Sequence, residues 1–451
     1  MLKEFPDQKV CVMGLGYVGL TLAVTLADLG FQVEGIEIRE EVLDLLNQGK
    51  AHFYEPGLES RLRRVVKNGN IHFYKKIPEN SSSTVFIITV GTPLGDDKVP
   101  RMDMVKNVSA EVSQFLKDGD LVLMRSTVQL GTSRDVVVPE LDKAQVKYDL
   151  AFCPERTLEG RALIELREIP QIVGGLTDRA TLRASQFFQM VTPTVVKVDD
   201  LETAEMIKLV DNTYRDVWFA YANEVARICD HTGIRASQVI QAGKLGYART
   251  NVALPGPVGG PCLEKDSYIL KKGVEKFGLE PQLIMTARRL NEMQPKESVK
   301  AFLKQYFQMN AETPPKKICF MGLAFKGKPA TDDLRGTMAI PVISEIKAHL
   351  PEVKMYGFDA VVSSQGIQSL GLEAIESLEL AFDDMDLVVV LNNHPVFSSM
   401  DLTSLADRMR KKGVIYDFWN LFDPTSLDLP KSVAYMSLGS HLRTSLKKQK
   451  V

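Results

Sequence analysis

The chain has 451 residues, 45% hydrophobic and 25% charged, with 55 basic against 57 acidic side chains and a formal net charge of −2. That balance, without a long basic run, argues against nucleic acid as a partner and predicts a globular protein of about two to four domains. No apolar run reaches membrane-spanning length, no charged-then-apolar leader opens the chain, and the five scattered cysteines lack CxxC or Cys/His ligand spacing. These features predict no membrane association, no disulfide, no metal and a cytoplasmic location.

The stretch "KVCVMGLGYVGLTLAVTLADLGFQVEGIEI" (9–38) reads as strand, glycine turn, helix and strand. Gly14, Gly16 and Gly19 form G-x-G-x-x-G, with Tyr17 and Val18 inside it. The first glycine allows the tight turn, the second lets backbone approach a pyrophosphate, and the third permits close helix–strand packing. Helix N–H groups and the helix dipole supply positive potential for phosphate. Glu37 closes the next strand, where a carboxylate can accept from ribose hydroxyls and repel a 2′-phosphate. NAD is therefore expected over NADP, with Arg39 nearby as the opposing signal.

Strands "TVFIITVGTP" (84–93), "DLVLMRSTV" (120–128) and "DLAFCPE" (149–155) follow, alternating with helical patterns. Such alternation predicts a parallel, doubly wound sheet. Residues 201–233 contain no Pro, and their first Gly is the last residue, so one long helix with a Gly cap is predicted. Helical patterns continue to about 310, broken by "PGPVGGPC", and "NAETPPKK" (310–317) reads as a linker. Then "KICFMGLAFKG" repeats the order of "KVCVMGLGYVG". Ala324 replaces the second glycine and Lys326 precedes the last, which makes a poorer dinucleotide cradle and points to a different ligand, such as a substrate nucleotide. Strands at "EVKMYGFDA", "MDLVVVLNN" and "KGVIYDFW" complete the pattern, and the tail "SLKKQKV" (445–451) reads as a solvated end. The expected fold is α/β: two Rossmann-like domains (1–200 and 311–451) joined by an all-helical central domain (201–310) with one long helix.

"GGPCLEKD" (259–266) places Cys262 in a glycine turn, followed closely by Lys265 and Asp266. A thiol beside a nicotinamide can trap an aldehyde as a thiohemiacetal, whose oxidation gives a hydrolysable thioester. Lys265 can favour the thiolate, and Asp266 can act as a base or hold a water. An inert packed cysteine remains the alternative on these residues alone.

"GLGYVGL", "STVQLGT", "PERTLEG", the Lys208/Asn212 pair, "GGPCLEKD" and "FKGKPATDDLR" occur in this order over residues 9–425. This set resembles the UDP-glucose/GDP-mannose dehydrogenase family of nucleotide-sugar 6-dehydrogenases. The resemblance implies two Rossmann-like domains, a long central helix that builds a homodimer or a higher homo-oligomer, and four-electron oxidation of a sugar C6 alcohol with NAD. It makes Cys262 the nucleophile. Lys208 and Asn212, one helical turn apart, would stabilise oxyanion charge. Asp266, with a water held by Thr127, would be the first base, and Glu155 the base for thioester hydrolysis, with Glu159 close by. Thr92, Thr127 and Arg335 would extend the cofactor site. Phe325 and Lys326 would meet the sugar and phosphates, Arg249 a neighbouring subunit's site, and Asn251, Gly259 and the backbone of 255–260 the sugar.

"PERTLEGRALIELREIPQIVGG" (154–175) is similar to the branch acting on UDP-N-acetylhexosamines. Arg156 would then contact the N-acetyl or phosphate groups, against a reading as a surface ion pair. The resemblance does not separate UDP-N-acetylglucosamine from UDP-N-acetylmannosamine. "YDFWN" (416–420) stands where many members carry an arginine, and Trp419 reads as a core residue rather than a base-stacking one. The rival readings are a UDP-glucose or GDP-mannose 6-dehydrogenase, more distantly a two-electron β-hydroxyacid dehydrogenase, which would need neither Cys262 nor the second Rossmann-like unit, and a non-catalytic nucleotide-binding protein.

Overall fold

Continuous apolar runs such as "VFII" and "LVVV" suit strands buried on both faces, and they become the central strands of two sheets. The computed structural model describes residues 7–440, so the basic tail read from the sequence lies outside it. Two compact units emerge. The first comprises residues to Asn212 with Lys265–Glu280, and the second Thr213–Glu264 with residues from Pro281 onward.

In the first unit the strands are β1 (Lys9–Met13), β2 (Gln32–Ile36), β3 (Ile71–Tyr74), β4 (Val85–Ile88), β5 (Asp120–Met124), β6 (Tyr148–Phe152), β7 (Gln171–Gly175) and β8 (Val195–Val198). Their order is β3-β2-β1-β4-β5-β6-β7-β8. Helix α1 (Tyr17–Asp28) packs on the face that Val10 and Val12 line, while Cys11 and Met13 point into a second core on the other face. The expected parallel sheet departs at one edge: β6 and β7 run antiparallel, with Ala151 opposite Gly175. The chain leaves the carboxyl end of β6 and re-enters the sheet from the same end. The "PERTLEG" loop therefore stays at the carboxyl edge, where open α/β sheets bind ligands.

The second unit holds β9 (Lys317–Met321), β10 (Lys354–Phe358), β11 (Glu373–Ala374), β12 (Leu387–Val390), β13 (Val414–Asp417) and β14 (Ala434–Ser437). All neighbours are parallel, in the order β11-β10-β9-β12-β13-β14, the same winding as β3-β2-β1-β4-β5-β6. The sequence repeat is thus a structural repeat. Gly14 and Gly322 follow the first strand of each sheet with φ of +92° and +79°, a conformation that favours glycine.

The predicted long helix is α2 (Leu201–Thr232), ended by Gly233 at φ +72°. It belongs to the first unit as far as Asn212 and to the second from Thr213. Helices α3 (Asp266–Glu275) and α4 (Gln282–Met309) complete the helical region that links the two Rossmann-like domains.

Candidate active site

The glycine loop has the shape a dinucleotide requires. Gly16 is the N-cap of α1, and a Cβ there would meet no protein atom within 4 Å. A Cβ on Gly19 would lie 1.9 Å from the Gly14 carbonyl oxygen, so helix and loop close only around glycine. Glu37 is buried at the end of β2, and Arg39 clasps it: Nε donates to Oε1 at 3.0 Å and Nη2 to Oε2 at 2.9 Å. Burial pushes the Glu37 carboxyl up, but Arg39 outweighs it and holds the group below its usual range. The tool that would grip a 2′-phosphate is therefore engaged by the carboxylate that would repel one.

Tyr17 does more than fill this loop. Its hydroxyl donates to the buried Glu55 carboxylate, and the Gly160 N–H reaches both the Tyr17 oxygen (2.8 Å) and Glu55 Oε2 (2.6 Å). Burial, with Glu55 beside it, drives the Tyr17 phenol far above its ordinary value. Glu159, half-buried in the same loop, adds to that effect. Val18 is half-buried beside it.

A polar chain joins several predicted residues of the first unit. Asn212 Nδ2 donates to Asp266 Oδ2 at 2.5 Å. Lys265 Nζ lies 3.3 Å from Asp266 Oδ1 and donates to Thr92 Oγ1 at 3.2 Å. Thr92 Oγ1 donates in turn to the Thr127 carbonyl at 2.6 Å. Asp266 opens α3, where a carboxylate suits the helix dipole. Lys208 and Asn212 are both buried on α2.

Glu155 emerges from β6 into a buried ion pair with Arg125, at the end of β5. Its Oε1 accepts from the Arg156 and Thr157 N–H groups at 2.7 and 2.8 Å. Burial opposes its charge, yet Arg125, the Thr157 amide and Lys208 hold the carboxyl below its usual range. It is ionised at neutral pH, as a base must be. The Arg156 guanidinium sits 3.4 Å from Asp211 and donates to the Pro170 carbonyl at 2.6 Å.

The second unit contains the rest of the predicted set. Cys262 is exposed. Gly260 N donates to the Gly336 carbonyl at 2.8 Å, and a Cβ on Gly259 would stand 2.2 Å from that oxygen. Gly260, at φ +93°, faces the Phe325 ring. The cysteine turn therefore rests on the loop that carries Phe325 and Lys326, whose ammonium lies 5.2 Å above the Phe325 ring. Arg335, largely exposed, clasps Asp333 in the same loop. Arg249 lies over Tyr247, and the Asn251 carbonyl accepts from Trp218. Trp419 is half-buried, donates to the Leu391 carbonyl at 2.8 Å, and its ring closes on Gly256.

The two glycine turns differ in one telling respect. Gly14 N and Gly322 N make equivalent 2.9 Å hydrogen bonds, to Ile36 and Phe358. Asp359, the counterpart of Glu37, accepts from the Leu323 and Ala324 amides at 2.6 and 3.1 Å. In the second unit the carboxylate is bonded to its own loop.

Three residues escaped the sequence reading. Arg125 and Glu55 are single charges in otherwise unremarkable motifs, and only the fold buries them. Glu205, on α2 one turn before Lys208, accepts from Gly131 N at 2.6 Å and Ser133 N at 2.8 Å. It anchors the loop that follows Thr127 to the helix carrying Lys208 and Asn212. Burial pushes its carboxyl up to about 7.

Residues 8–192 match the NAD binding domain of the UDP-glucose/GDP-mannose dehydrogenase family, 202–293 its central domain and 319–424 its UDP binding domain. The UDP-N-acetyl-D-mannosamine dehydrogenase of Pyrococcus horikoshii is 33% identical over 414 residues, covering 90% of this chain and 94% of that one. The NDP-N-acetyl-D-galactosaminuronic acid dehydrogenase of Ralstonia nicotianae is 32% identical, covering 89% and 94%. Among solved structures, the Pyrococcus horikoshii UDP-D-ManNAc dehydrogenase superposes with a TM-score of 0.85 at 30% identity, covering 96% of this chain and 99% of that one. The Staphylococcus aureus UDP-N-acetyl-mannosamine dehydrogenase gives 0.80 at 31%, covering 96% and 98%. Among the described residues, no helix is long and apolar enough to cross a membrane.

Proposed function

The chain belongs to the UDP-glucose/GDP-mannose dehydrogenase family and is an NAD-dependent nucleotide-sugar dehydrogenase, and we propose that it oxidises the C6 alcohol of a UDP-N-acetylhexosamine to the uronic acid. The names of its relatives favour UDP-N-acetyl-D-mannosamine as the substrate. The polar chain Asn212–Asp266–Lys265–Thr92 is the observation that carries the reading. It joins an amide donor, a buried carboxylate and a cation in the unit with the dinucleotide cradle.

Gly14, Gly16, Gly19 and Glu37 would hold NAD+, which when bound would supply the hydride acceptor for each oxidation. In the first, Asp266, with a water held by Thr127, takes the hydroxyl proton as the hydride leaves C6, giving an aldehyde. Lys208 and Asn212 would stabilise the C6 oxygen as its charge develops. The Cys262 sulfur then adds to the aldehyde carbon, forming a thiohemiacetal. Loss of a second hydride from that carbon yields the thioester. Glu155 takes a proton from water, the resulting hydroxide attacks the carbonyl carbon, and the thiolate leaves. The sum is one alcohol, one water and two NAD+ giving one carboxylate, two NADH and three protons.

In the second unit, Phe325, Lys326 and the backbone around Gly259 would hold the sugar nucleotide. A cytoplasmic homodimer is part of the same proposal. Tyr214, Tyr221 and Ile228, 64%, 56% and 58% exposed, repeat at seven-residue spacing along α2, which supports a helix-mediated dimer.

The test is NADH formed per sugar consumed, over UDP-N-acetylmannosamine, UDP-N-acetylglucosamine, UDP-N-acetylgalactosamine, UDP-glucose and GDP-mannose. Two NADH per N-acetylmannosamine substrate, lost in Cys262→Ala, is the expected result. Preference for UDP-glucose or GDP-mannose would move the substrate assignment, and two NADH from Cys262→Ala would remove the thioester route.

A further inference from the structure

Cys262 follows a segment with no regular secondary structure that contains Gly256, Gly259 and Gly260. Such a chain has much freedom to lose. Its backbone groups are nevertheless taken by side chains from two helices of the second unit. Arg288, on α4, is 1% exposed. Its Nη1 donates to the carbonyl of Leu263, the neighbour of Cys262, at 2.7 Å. Its Nη2 donates to the Val258 carbonyl at 3.3 Å. The guanidinium thus grips the chain on both sides of the thiol.

A deeper layer fixes the guanidinium. Asp216, fully buried on α2, lies 3.1 Å from Arg288 Nη1. Asn291 Nδ2 donates to the Asp216 carbonyl at 3.0 Å and to its Oδ1 at 2.8 Å. Asn291 Oδ1 accepts from Asn223 Nδ2 at 3.0 Å, and Asn223 makes reciprocal 3.0 Å bonds with the Gly256 backbone. A buried ion pair is weak support for stability, because apolar side chains filling the same space often do as well. What apolar side chains lack is direction. A planar fork can hold two carbonyls at a set angle, as neither a hydrocarbon nor a lysine can.

We propose that Arg288, backed by Asp216 and Asn291, is a positioning residue that sets the approach of the Cys262 sulfur to the aldehyde carbon. The proposal rests on the reading of Cys262 as nucleophile. It makes a selective claim: the first oxidation does not use the sulfur, so a loosened clamp slows the second oxidation and leaves the first.

Arg288→Lys keeps the charge and loses the fork. A displacement of about 1 Å costs about 100-fold in rate. The expected result is a second oxidation slowed to that degree, NADH per sugar falling from two toward one, and an aldehyde product captured by hydroxylamine, with KM for NAD+ unchanged. A general loss of folded protein would lower the rate and leave the ratio at two. Cys262→Ala is measured beside it. If Cys262→Ala still yields two NADH, the nucleophile reading fails and the clamp proposal with it. If Cys262→Ala lowers the ratio while Arg288→Lys keeps both ratio and rate, the clamp alone is overturned. Should Arg288→Lys not fold, Asn223→Ser removes the Gly256 arm without stranding a charge. A lowered ratio in that variant supports the proposal, and an unaltered ratio overturns it.

Discussion

Gly16→Ala separates binding from folding. The residue sits at φ −68° and ψ −165°, which alanine adopts without strain, and its Cβ would touch no protein atom within 4 Å. The fold is expected to be unharmed, with a stability change of about 0.4–1 kcal/mol in the favourable direction from the stiffer unfolded chain. The methyl would instead occupy the space into which a pyrophosphate must come. Forcing one methyl into a close contact costs about 1–3 kcal/mol. That corresponds to NAD+ binding about 5- to 150-fold weaker. Gly19→Ala is the contrast, because its Cβ would lie 1.9 Å from the Gly14 oxygen and 2.6 Å from Thr89 Oγ1. It should lose both stability and binding. Thermal melts with an NAD+ titration by calorimetry read both quantities. A Gly16→Ala protein that binds NAD+ as tightly as the natural chain, or melts as low as Gly19→Ala, would refute the cradle.

Arg125→Met leaves the Glu155 carboxylate buried without its partner, at a cost of about 3–5 kcal/mol at neutral pH. That deficit should shrink in denaturant titrations as pH falls and Glu155 takes up a proton; an equal deficit at pH 5 and pH 8 would contradict the pairing. Glu205 has the opposite sign, since its folded value is about 7 and lies above the ordinary 4.5. Its contribution is full below the unfolded value and is lost as pH rises toward 7, a fall of about 3 kcal/mol. Glu205→Gln should flatten that slope, and an unchanged slope would point elsewhere. Ile228→Asp should convert a dimer to a monomer in analytical ultracentrifugation; a dimer that persists would take the exposed stripe on α2 out of the interface.

Much of this molecule was readable from local signals. The glycine turn, the long helix ending at Gly233 and the repeat at Gly322 each depend on neighbours in sequence, and each stands in the structure. The antiparallel β6–β7 edge was not readable, because strand direction depends on where the 153–170 connection travels and not on its composition. Arg125, Glu55 and Glu205 were missed for the same reason: a charge acquires its partner only when distant strands and helices meet. Arg156 read from its motif as either a substrate contact or a surface ion pair, and the fold supplies what the motif could not, the partners of its guanidinium: Asp211 and the Pro170 carbonyl.

The cysteines offer a practical handle. Cys11, Cys153, Cys229 and Cys319 are buried, and burial pushes each of these thiols up, Cys153 to about 12. Cys262 alone is exposed. A fluorescent maleimide should therefore tag the natural chain at one position, without mutagenesis, and intact mass should count the competent molecules in a preparation. The same exposure makes the enzyme vulnerable to peroxide, which would carry this thiol through sulfenic to sulfinic acid while the other four are sheltered. With Cys262 as the proposed nucleophile, storage under a reducing agent should then decide how long a sample keeps its turnover, even when its melting curve does not change.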